Sequence, residues 1–275
     1  MNRGILEAVA SRVVTSVSVL VNAPGWEDGL DRLGAWPELG IGLHLNLTAG
    51  RPLTDGATLR DPATGAFHPL RALVIRALRG RIDSAEVQAE CAAQLTRLRE
   101  TGAPLTHLDS HRHVHALPGV WRPVVETARR EGIGVVRVPL EPGTPSLKGL
   151  ALRAAWRVAA RGVPVPRHPQ RFYGISLQAR PDFAQRLLRL LDRLPRGTTE
   201  LMVHPGHPDA ALAAWDDYTA PRAVELAALT GEAIRSRLSR GDLRLATFAS
   251  LESPTAPPAS PPTRRGRESP SRGTG

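Results

Sequence analysis

Strand-like and helix-like segments alternate along almost the whole chain, and this alternation restricts the fold more than any other feature. The β-branched "VVTSVSVLVN" (residues 13–22) reads as a strand, and so does "LGIGLHLNL" (residues 39–47), which alternates cleanly after its glycine. In "DSAEVQAECAAQLTRLRETG", Asp83 and Glu86 stand at capping-box spacing. Val87, Cys91, Leu95 and Leu98 form an apolar stripe there, and Gly102 ends the helix. Further strands are expected at residues 104–109, 134–139, 199–204 and 243–248, and further helices at 121–132, 181–194 and 222–241. Repeated β-then-α units imply a parallel α/β sheet, either open and doubly wound or closed into a barrel. The pattern alone does not choose between them.

Composition narrows the function. No apolar run approaches the roughly 20 residues that span a bilayer, and no signal-peptide pattern opens the chain, so a cytoplasmic location without stable membrane insertion is expected. Cys91 is the only cysteine, which excludes an internal disulfide and a cysteine-based zinc site. The net charge of +10 comes almost wholly from arginine, scattered along the chain, and aromatic residues are only 4%. That leaves little to stack on bases, so no nucleic-acid partner is expected. Arg153, Arg157 and Arg161 recur every four residues opposite Leu152 and Trp156; a solvated helix face and a lipid-facing one both fit. Residues 252–275, rich in proline and arginine and poor in apolar side chains, read as a disordered tail after a domain of residues 1–251.

Histidine marks the chemistry. Of nine histidines, four lie with an aspartate in "THLDSHRHVH", at the end of an expected strand. In "GLHLNL" the two-residue strand period puts His44 and Asn46 on one face. In "ELMVHPGHP", Glu200, Met202 and His204 share a face ahead of a Pro-Gly turn. Active sites of parallel α/β folds gather at the carboxyl ends of strands, where all three features fall. Neutral imidazole and carboxylate suit Zn²⁺, Mn²⁺ or a related ion. Asp109 is placed to be a ligand, or a partner that fixes a histidine tautomer. His204, whose ordinary pKa lies near neutrality, suits a general acid or base. Together the three point to a metal-dependent hydrolase.

These stretches, "PELGIGLHLNLTAGRPL", "THLDSHRHVHALPGV" and "ELMVHPGHPD", resemble in order and spacing the YdjC-like carbohydrate deacetylases. That family includes the chitooligosaccharide deacetylases and a branch associated with hopanoid biosynthesis. The resemblance implies a distorted (β/α) barrel of the polysaccharide deacetylase type with one divalent metal ion, Mg²⁺ or Zn²⁺. It implies removal of an acetyl group from an N-acetylated sugar or glycolipid. His44 and His111 correspond to family metal ligands, whereas His107, His113 and His115 are expected to shape the loop. His204 is expected to protonate the departing amine, with Asp109 the nearby carboxylate; Asn46, Arg137 and Arg171 are expected to contact substrate. A homodimer is allowed for.

The family's third ligand is an aspartate of a "DDFG"-like motif on a first strand. Here "MNRGILEA" resembles the helix that follows that strand, so the chain is expected to lack strand and motif and to hydrolyse poorly as it stands. A start assigned too late and a truncated protein both account for this. The competing class is a catalytically inactive barrel that binds a carbohydrate or a partner. A phosphoesterase would call for more carboxylates.

Overall fold

The computed structural model describes residues 1–143 and 147–251; the expected tail at 252–275 lies outside the described residues. Helix α1 (Asn2–Ala10) leads into strand β1 (Ser16–Val19), α2 (Trp26–Leu33) and β2 (Gly40–Leu45). After α3 (Leu70–Leu78) and α4 (Ser84–Arg99) comes β3 (Leu105–Ser110), followed by a short 3-10 segment and α5 (Trp121–Arg130). Then come α6 (Leu147–Ala159), β4 (Arg171–Tyr173), α7 (Phe183–Leu191) and β5 (Thr199–Leu201). The described chain ends with α8 (Ala210–Ala213), α9 (Ala220–Thr230) and α10 (Glu232–Leu238) and a last 3-10 turn at Phe248–Leu251.

The ladders between the named strands are parallel, in a mixed α/β arrangement, and an isolated antiparallel bridge joins Arg60 to Phe67 among the described residues. One sheet has the order β1-β2-β3 and the other pairs β4 with β5. Leu43, Leu45, Val87, Cys91, Leu95, Leu98, Trp121 and Val124 are fully buried together, so β2, α4 and α5 form the main core. Burial of each such large side chain contributes about 1.5–3 kcal/mol.

The α4 cap differs from the expected box. Asp83 accepts from the Ala85 N–H, but Glu86 turns to Thr58, accepting from its N–H (2.7 Å) and hydroxyl (2.6 Å). Thr58 Oγ1 in turn accepts from the Asp83 N–H, so the loop completes the cap. Residues 134–139 form single bridges, Leu108 with Val136 and Val135 with Arg167, instead of a full strand. The helix expected over 222–241 divides at Gly231, whose backbone is extended and whose added Cβ would lie 3.0 Å from the Ala227 carbonyl oxygen. Residues 243–248 form no ladder; Thr15 Oγ1 takes the Ala246 carbonyl instead. No helix among the described residues is long and apolar enough to cross a membrane. Arg153, on the face weighed for lipid contact, donates to the Glu141 carbonyl oxygen.

Candidate active site

A cavity of about 1420 Å³ lies between the two sheets and is lined by β1 on one side and β5 on the other. His44, Asp109, His111, Arg137, Glu200 and His204 all face it. The expected strand-end residues therefore come together, at the carboxyl ends of β2, β3 and β5.

A register shift makes the first contact. Ile41 pairs with Leu105, but Gly42 pairs with His107, so Thr106 is an extra residue in β3. Without this bulge His44 would oppose Leu108; with it, His44 opposes Asp109. The two side chains share a face, and His44 Nδ1 lies 2.7 Å from Asp109 Oδ1. Burial alone would raise Asp109, yet the charges of Arg137 and His44 hold its carboxyl well below the usual range. An ionised Asp109 only accepts, so His44 Nδ1 carries the proton and Nε2 is left for the cavity.

Arg137 pairs with the second oxygen of Asp109 and donates through Nε to Glu200 Oε1 at 2.5 Å. This buried row, His44–Asp109–Arg137–Glu200, ties β3 to β5. Arg137, expected to contact substrate, is held between two carboxylates at the cavity wall. Asp109, expected as the nearby carboxylate, has one oxygen on His44 and the other on Arg137.

Asn46 and Arg171 also stand elsewhere than expected. Asn46 is fully buried; its amide donates to Asn22 Oδ1 and the Ala49 carbonyl oxygen, and its Oδ1 accepts from the Thr48 and Ala49 N–H groups. It fastens the loop after β2. Arg171 begins β4, at the amino end of the strand, and donates to the Arg196 carbonyl oxygen, away from the histidines.

His111 follows β3 directly. Its ring centroid is 5.9 Å from that of His44, and its Nδ1 is 3.1 Å from Thr48 Oγ1. Burial, then the His44 charge, pushes its pKa down to about 3. The other three histidines of the cluster serve the framework. His107 lies between Ser18 Oγ (3.0 Å) and Thr106 Oγ1 (2.9 Å) and stacks on Phe248. His115 meets Ser110 Oγ and the Arg137 carbonyl oxygen, and His113 packs edge-on to Phe172.

His204 hangs on a second carboxylate. Glu225 accepts from the His204 backbone N–H and from the Tyr218 hydroxyl, both at 2.5 Å, and the Tyr218 ring stands 5.3 Å from the imidazole. Arg222 donates to the Tyr218 carbonyl oxygen and to Asp216 Oδ2. Burial, helped by Arg222, lowers His204 to about 3, and its Nδ1 is buried without a partner. Glu225 and Asp216 stand on a helix and a loop, where no strand period points to such roles.

Of the imidazoles on the cavity, His44 and His111 lie near each other, but a metal site of Zn²⁺ or Mg²⁺ type needs more donors than these two. Among the described residues no group of three or more His, Cys, Asp or Glu side chains is disposed to hold an ion. The residues present do not by themselves fit a complete metal centre.

Comparison with known proteins agrees with the motifs. The chain is 33% identical to the carbohydrate deacetylase of Geobacillus stearothermophilus, over 90% of this chain and 91% of that one. It is 34% identical to the carbohydrate deacetylase of Mus musculus (92% and 90% covered) and 32% identical to a chitooligosaccharide deacetylase of Yersinia pestis strain Pestoides F (90% and 92%). Its fold matches the crystal structure of an Enterococcus faecalis V583 protein provisionally named for cellobiose-phosphate cleavage. That match has a TM-score of 0.71 and 24% identity, covering 91% of this chain and 92% of that one. The YdjC-like protein model matches residues 1–240, and the chain belongs to that family.

Proposed function

We propose that the protein is a hydrolase that removes the acetyl group from an N-acetylated sugar. The observation that carries this is the convergence of His44, His111 and His204 on one cavity, in a chain whose relatives are named deacetylases. The two sheets are read as arcs of a distorted (β/α) barrel. β1 pairs only with β2 and β5 only with β4 among the described residues, so closure across the cavity would take a strand that those residues do not contain.

The chain's own residues supply proton handling. His204 enters neutral, because burial and Arg222 lower it to about 3, and it becomes basic enough to take a proton only as negative charge develops beside it. Water adds to the acetyl carbonyl, its proton passes to His204, and negative charge develops on the tetrahedral oxygen. That charge raises the imidazole, which returns the proton to the nitrogen as the C–N bond breaks, releasing acetate and the amine. Glu225 holds the backbone of His204 and Tyr218 walls its ring, so the imidazole keeps one orientation. His44 and His111 are proposed as the imidazole donors of a divalent site, Mg²⁺ or Zn²⁺.

Acetate release from N,N′-diacetylchitobiose tests the reading. His204→Ala should lower kcat by about 10²–10⁴ with little change in metal content. An undiminished rate would remove His204 from the chemistry; a lost metal would make it a ligand. The short donor set favours one second reading, a sugar-binding barrel without turnover. Sugar binding with no acetate release and no metal in the purified protein would select it.

A further inference from the structure

Helix α6 carries two apolar faces, and only the inner one is seated. There Leu152 packs against the cluster of Phe172, Ile175 and Met202, and Trp156 meets the fully buried Trp121 edge-on, with ring centroids 6.1 Å apart. Arg153 donates to the Glu141 carbonyl oxygen, and Glu141 accepts from the Ser176 N–H and hydroxyl, which ties the helix to the loop after β4. On the opposite side Leu147, Leu150 and Val158 are 86%, 54% and 61% exposed, and Ala151 and Ala154 between them are exposed as well. Spacings of three and four residues put all five on one stripe. A helix that is apolar on opposite faces needs a second apolar phase for the outer one.

The charge of this stretch is as one-sided as its exposure. Arginine is scattered over the chain, but residues 142–181 hold six arginines, one lysine and no aspartate or glutamate, a net +7 out of the chain's +10. Arg157 and Arg161 flank the apolar stripe, both exposed, and neither forms an ion pair among the described residues. We propose that the outer face of α6 docks the protein on an anionic membrane surface, with Leu147, Leu150 and Val158 in the headgroup layer and the arginines on lipid phosphates. Such a helix lies in the plane of the interface, so docking needs no spanning segment. Each arginine close to an anionic leaflet strengthens binding about fivefold. Two other occupants match the face less well. A second copy on a twofold axis would set this basic segment against itself. A nucleic acid would match the arginines and leave the leucines in water. The docking stands independently of the deacetylase reading.

Flotation of the full chain with lipid vesicles tests this, using phosphatidylcholine alone and an equimolar mixture with phosphatidylglycerol. The protein should float with the mixed vesicles, stay behind with the neutral ones, and be released by raised salt. Arg157→Gln with Arg161→Gln should weaken partitioning about twentyfold. Leu150→Ser with Val158→Ser should weaken it about tenfold. Both pairs change exposed side chains, so the urea midpoint should stay where it is. Arg193→Gln with Arg196→Gln removes the same charge from the loop after α7 and should leave partitioning nearly unchanged; an equal loss there would reduce the effect to net charge and overturn the proposal. Equal binding to both kinds of vesicle, no binding to either, or binding that survives the substitutions on α6 would overturn it too. So would a dimer in sedimentation velocity that Leu150→Ser with Val158→Ser dissociates, since the face would then belong to a second copy.

Discussion

Asp109 meets His44 with one oxygen and Arg137 with the other, and Arg137 carries the contact on to Glu200. These groups are buried, so each charge depends on its neighbour. Removing one partner of a buried pair typically costs about 3–5 kcal/mol, because the other is left uncompensated. Asp109→Asn is expected to lower the free energy of urea unfolding by that order. Adding Arg137→Met should recover little of the loss, since the guanidinium still pairs with Glu200 in the single variant and its removal leaves that buried carboxylate alone. A loss under about 1 kcal/mol in the single variant would mean that water or a rearranged side chain satisfies Arg137. Glu90 illustrates the same dependence away from the cavity. It is fully buried on α4 and accepts from the Leu53 and Thr54 N–H groups and the Thr54 hydroxyl. Residue type does not reveal these duties: Asn46 and Arg137 look like substrate contacts in a motif, and only the structure shows the partners that hold them within the chain.

Strands β2 and β3 owe their alignment at the site to one local irregularity. The extra residue at Thr106 shifts β3 against β2, and Gly42 then lies directly beneath the His107 ring. A Cβ on Gly42 would come within 2.5 Å of that ring, which Ser18 and Thr106 hold on both nitrogens. The ring cannot step aside, so Gly42→Ala should cost about 1–3 kcal/mol by overpacking. Urea unfolding measures this; a change below 0.5 kcal/mol would show that β2 shifts freely on β3. Periodicity located β1, β2, β3 and α4 because each repeats one pattern over several residues. It could not locate the bulge, which is a single insertion in an otherwise regular strand. It also joined α9 to α10, since the apolar period runs across Gly231 while the backbone does not. The site was legible to the extent that strand ends carry histidine: His44, His111 and His204 do converge. Tyr218 and Glu225 come from a loop and helix α9, where no period announces a role.

The whole molecule joins its two sheets through buried polar groups, and this makes its stability sensitive to acid. Burial lowers His107 and His204 to about 3 and His115 to about 4, against an ordinary value near 6.5. The folded protein keeps all three neutral through mildly acidic pH, while the unfolded chain protonates them below about 6.5. The unfolded state then binds more protons, so stability falls as pH falls, by about 1.4 kcal/mol per unit for each imidazole. Glu200 and Glu225, raised by burial, act with the opposite sign and offset part of this. Asp109 adds nothing in this window, because its contribution is lost only below the ordinary aspartate range near pH 4. The balance favours the imidazoles. The urea midpoint should hold from pH 7.5 to 6.5 and drop clearly by pH 5, with an unchanged m-value. His107→Phe, which keeps the stacking on Phe248 and removes one titrating group, should flatten the slope. A midpoint independent of pH across that range would mean that the buried histidines bind protons as readily folded as unfolded, and that the cavity between the sheets is open to water at their depth.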